Sequence, residues 1–125
     1  MAEVSGPRDL VTGVASGSLN FADPAGFRFV KRTGKDVHLC AVSGEIAFGV
    51  LNSKANDNEH VSVCVAGFTK ICLASSLGPD ILIATNNTGF AINASSGQAV
   101  MGRLMTGANS GMPGEMQFVF TGSGR

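Results

Sequence analysis

From Phe27 onward the chain is written as short runs of β-branched and aromatic residues, each stopped by a cluster of Gly, Asn, Asp or Ser. No other feature limits the fold so strongly. Gly and Asn accept positive φ, and Asp, Asn and Ser bond their own backbone, so such clusters read as turns. The runs fall at 27–31, 37–42, 46–51, 60–66, 69–74, 81–84, 89–92, 100–106 and 116–121. Between them lie Thr33-Gly34-Lys35-Asp36, the segment 52–58, Gly67-Phe68, Gly78-Pro79-Asp80, Asn86-Asn87-Thr88 and Ser95-Ser96-Gly97. Turn signals spaced roughly every 8–12 residues indicate a β-sandwich or barrel of short strands.

Alternation within the runs supports strands. Val61, Val63 and Val65 fall on one face of 60–65, opposite His60, Ser62 and Cys64. Ile71 and Leu73 share a face opposite Lys70 and Cys72, and Met116, Phe118 and Phe120 share another. Side chains repeat every two residues in a strand. With 17 Gly in 125 residues, long helices are disfavoured, because Gly loses the most backbone freedom on ordering. Helix is plausible only over 98–105 and, briefly, 73–77.

Residues 1–20 carry weaker patterning. Val4, Leu10, Val11, Val14 and Leu19 are spaced among Gly6, Pro7, Gly13 and Gly17. The expectation is an irregular N-terminal arm over 1–20 that orders on a partner, ahead of a single all-β, barrel-like domain over 21–125.

Nine basic and nine acidic residues leave no net charge, which argues against direct nucleic-acid binding. No apolar stretch reaches the ~20 residues of a membrane span. The opening MAEVSGPRDL lacks the build of a secretory signal, so synthesis in a cytoplasm is expected. Cys40, Cys64 and Cys72 are odd in number and lie in apolar runs, as buried thiols do.

Residues suited to catalysis are few. His38 and Cys40 sit two apart on one strand face, where side chains run parallel rather than toward each other, and no orienting group follows. The 55–60 loop, with Asn56, Asp57, Asn58 and Glu59, is a faint cation motif without the full calcium-loop pattern. Ser110-Gly111-Met112-Pro113 lacks the downstream lysine that a serine–lysine peptidase would need, since no Lys follows Lys70. The expectation is a non-enzymatic protein with no cofactor and no metal. The one basic cluster is Arg28, Lys31, Arg32 and Lys35. It reads as a solvated edge or as a contact patch for an acidic surface.

An ordered series of phrases resembles the small capsid decoration, or cement, proteins of tailed phages. GFRFVK at 26–31 is followed by VHLCA at 37–41, GVLN at 49–52 and HVSVCVAG at 60–67. TKICLA at 69–74 comes next, then AVMGRLM at 99–105 and MQFVF at 116–120. The span 26–120 is about three-quarters of the chain. The resemblance implies a compact β-barrel-like fold, assembled as homotrimers on the outside of a mature, expanded capsid and stabilising it against internal DNA pressure. It implies the major capsid protein as partner, a virion location, and no catalytic residues. Contacts with the shell or within the trimer are expected from Val4, Arg8, Leu10, Val11, Val14, Leu19, Phe21, Arg28, Lys31 and Arg32. A tail or other virion β-component is the alternative. A small-ligand module is disfavoured by the absence of Trp and Tyr, which supply stacking faces.

Overall fold

A computed structural model of the chain describes residues 8–21 and 26–118. These residues form nine strands and no helix: β1 (Arg8–Ala15), β2 (Phe29–Thr33), β3 (Asp36–Leu39), β4 (Gly49–Leu51), β5 (His60–Cys72), β6 (Ile81–Thr85), β7 (Ala91–Asn93), β8 (Gly102–Thr106) and β9 (Pro113–Phe118). Hydrogen bonding runs in the order β1-β3-β2-β4-β5-β9-β8-β6-β7, with a further pairing of β1 to β5.

Strand β5 joins two halves. Its first half pairs antiparallel with β1, from Arg8↔Gly67 to Val14↔His60, and with β4. Its second half pairs with β9, from Phe68↔Gln117 to Cys72↔Pro113. The change of partners falls at Gly67, whose φ of 85° is open to glycine and strained for other residues. The expected turn at Gly67-Phe68 is therefore a bend inside one long strand. The expected runs 60–66 and 69–74 are its two arms.

Parallel pairing of β1 with β3 at Val14↔Asp36 and Ala15↔Val37 closes β1, β3, β2, β4 and β5 into a ring. One apolar cluster is drawn from the ring strands and adjacent loops: Ala15, Leu19, Val30, Val37, Leu51, Ala55, Val61 and Val63. The opposite faces of the same strands supply Phe29, Val50 and Cys64 to a second cluster. That cluster continues into the other half through Ile71, Leu73, Ile83, Leu104, Met116 and Phe118. The alternation in 60–65 thus separates two cores, because Val61 and Val63 enter one and Cys64 the other. Burying one such Leu or Ile side chain contributes about 1.5–3 kcal/mol.

Several expectations are corrected by these pairings. Residues 8–15, expected within an irregular arm, are the ring's closing strand, because β3 and β5 both leave backbone groups that β1 satisfies. Residues 102–106 are strand β8, within the expected strand 100–106, and the helix held plausible over 98–105 does not form. The expected strands 37–42 and 46–51 are shorter at their facing ends, and residues 40–48 form a connecting turn between β3 and β4. The closing run expected at 116–121 begins earlier, at Pro113, and its residues beyond Phe118 lie outside the described part.

Candidate functional site

An ion pair between Lys31 and Glu45 links strand β2 to the turn after β3. Alternation along β2 sends Phe29 and Val30 inward to the two cores, and the basic residues follow toward solvent. Just before β2, the Arg28 guanidinium lies between two aromatic rings, 3.9 Å from the Phe21 centroid and 4.3 Å from that of Phe90. Each face gains cation–π attraction. Burial lowers the Arg28 pKa from its ordinary value. Lys31 Nζ lies 2.7 Å from Glu45 Oε1. Arg32 stacks 5.2 Å from the Phe48 centroid, and its Nε donates to the Gly34 carbonyl at 2.6 Å. The basic cluster is thus largely engaged with the protein's own rings, carbonyls and carboxylate. Lys35, in the β2–β3 turn, is exposed.

Glu45 organises the 41–46 turn. Its Oε2 accepts the backbone N–H of Ala41 and of Val42, each at 2.8 Å. The Glu45 N–H closes the turn onto the Val42 carbonyl at 3.2 Å. Gly44, at φ 80°, donates to the Thr85 carbonyl and accepts from the Ala99 N–H. Gln98 Nε2 reaches Ser43 Oγ at 3.3 Å. Burial opposes a charge on Glu45. The Lys31 hydrogen bond, the Val42 and Ala41 N–H groups and the Lys31 charge together outweigh it, and the carboxyl pKa falls below its ordinary value. On this frame Val42 is 61% exposed and Ile46 76% exposed, the most exposed large apolar side chains among the described residues.

The other expected contact residues scatter. Val4 lies outside the described residues, as does the Arg8 side chain. Leu10, on β1 opposite Cys64, is 47% exposed. Val11 and Val14 are half-buried on the same strand. Leu19 is buried at 2% exposure within the ring cluster, so it belongs to the fold rather than to a free contact surface. Phe21 is half-buried beneath Arg28. Val42 and Ile46 escaped the sequence reading because both were assigned to strands. The signal that separates them is Ser43-Gly44, a turn pair inside an apolar run.

The groups considered for chemistry serve the backbone. Cys40, Cys64 and Cys72 are buried, and Cys64 Sγ lies 3.4 Å from the Ala66 carbonyl. Burial pushes the Cys40 thiol up to about 12. The His38 ring nitrogens lie 3.4 Å from Thr33 Oγ1 and from the Leu39 carbonyl. In the 55–60 loop, Asp57 Oδ1 accepts the Gly17 N–H at 2.8 Å and Glu59 Oε1 accepts the Asn56 N–H at 2.6 Å, which ties the loop to the end of β1. Ser110 Oγ donates to the Ala74 carbonyl at 3.0 Å. Among the described residues no cluster of His, Cys, Asp or Glu is arranged to hold a metal.

No family model matches the chain, and no curated protein matches it in sequence. A solved structure does match in fold. The N base of head fiber gp8.5 from bacteriophage phi29 superposes with a TM-score of 0.71 at 13% sequence identity. The match covers 90% of this chain and 95% of the gp8.5 base. The ring and its attached sheet therefore share the architecture of that phage head protein.

Proposed function

We propose that this chain is a structural component of a phage virion, bound to the outside of the head as a non-catalytic decoration protein. The observation that carries this reading is the fold likeness to the head fiber base, which spans nearly the whole of both chains. The strand phrases that resemble those of decoration proteins point the same way and suggest trimers on a mature, expanded shell. Groups that could perform chemistry are instead committed to turns and buried clusters.

The physical role is linkage. A protein that binds only the assembled shell stabilises it by mass action. Trimers spanning neighbouring shell subunits add avidity without new kinds of contact. The partner is the major capsid protein, with no direct contact to nucleic acid or membrane. Shells of the parent phage, heated with and without the purified protein, test this. Disruption at a higher temperature in its presence is expected, and an unchanged disruption temperature under saturating protein contradicts the stabilising role.

A further inference from the structure

We propose that the 41–46 turn is the element that seats the protein on its partner, and that it enters an apolar, uncharged depression on that partner protein's surface. The inference rests on the reading of the chain as a head decoration protein.

Single exposed apolar side chains are ordinary on protein surfaces. Val42 and Ile46 differ because they share one turn and stand 61% and 76% exposed. Neither joins either apolar cluster. The turn's fit to the fold is a backbone matter, made through Gly44, Thr85, Ala99 and the Glu45 carboxylate. Polar side chains at 42 and 46 would serve the fold equally well.

The brace also lowers the entropic cost of docking. A turn already held by Glu45, Thr85, Ala99 and Gln98 loses little freedom when it meets a receptor. The turn's own charge, Glu45, is paired with Lys31 and its side chain is only 14% exposed. Docking therefore strips no lone charge of water, which favours a receptor that is itself uncharged.

The test compares wild type with V42S/I46S and with the apolar exchange V42I/I46V, using shells of the parent phage. Both variants should melt within about 2 °C of wild type, since exposed substitutions away from the core change stability little. V42S/I46S should need roughly tenfold more protein, or above, to half-saturate the shells. V42I/I46V should stay close to wild type. Equal half-saturation by wild type and V42S/I46S overturns the docking role and leaves the decoration reading standing. A wild type that binds no shell removes both. Sedimentation velocity without shells separates the rival occupant. Self-association present in wild type and lost in V42S/I46S would assign the turn to a second copy and overturn the proposed partner.

Discussion

Glu45 holds three donors at once, the N–H groups of Ala41 and Val42 and the Lys31 ammonium. Its pKa is depressed in the folded protein, so its stabilising contribution is present above its unfolded value and is lost as pH falls through the lower folded value. Glu45→Gln should therefore lower the urea midpoint at neutral pH, and the difference from wild type should shrink as pH falls below the ordinary carboxylate range. A gap that stays constant across that range would remove the carboxylate's charge from the explanation. The thiols make a second residue-scale case. All three are buried, and Cys40 is pushed up to about 12 by desolvation. A thiol-specific reagent at neutral pH should label none of them in the native protein and all three in denaturant. The burial of these thiols was legible in their apolar runs. The engagement of Arg28, Lys31 and Arg32 was not, because Phe21, Phe48, Phe90 and Glu45 are brought to them by tertiary folding rather than by strand spacing.

Among the elements, β5 shows where local reading stops. Its alternation marks it as strand on both sides of Gly67, yet a glycine in an apolar run signals a turn and a bend equally well. What decides is the presence of β9 as a second partner beyond Gly67, a fact carried by sequence more than forty residues away. Gly67→Val should destabilise the fold by about 1–3 kcal/mol, because a β-branched residue at positive φ is strained. Chemical denaturation reads this directly, and a cost near zero would mean the bend does not need its glycine. Strand β1 is the converse case. Its residues looked irregular because Gly13 interrupts them, but that glycine lies against Val37 and the Lys35 carbonyl, where a Cβ would have no room. Removing residues 1–20 should thus open the ring, expose the edges of β3 and β5, and take Leu19 from the core. The truncated protein should be markedly less stable and prone to self-association by light scattering. A truncation that melts like the intact chain would show that the ring closes without β1.

For the whole molecule, the sequence announced an all-β chain of short strands but not its division into a ring and an attached sheet. That division depends on β5 serving both halves and on β1 meeting two partners, and neither pairing leaves a mark in local composition. It also sets two cores side by side, so the strands shared between them are buried on both faces. The role proposed for it, on the exterior of a phage head, is supported by the fold it shares with the gp8.5 base. Co-sedimentation of the purified protein with expanded and unexpanded shells of its parent phage tests this most directly. The account predicts saturable binding to expanded shells, in whole trimers per lattice site, with unexpanded shells left bare. Absence of binding to either shell would contradict it.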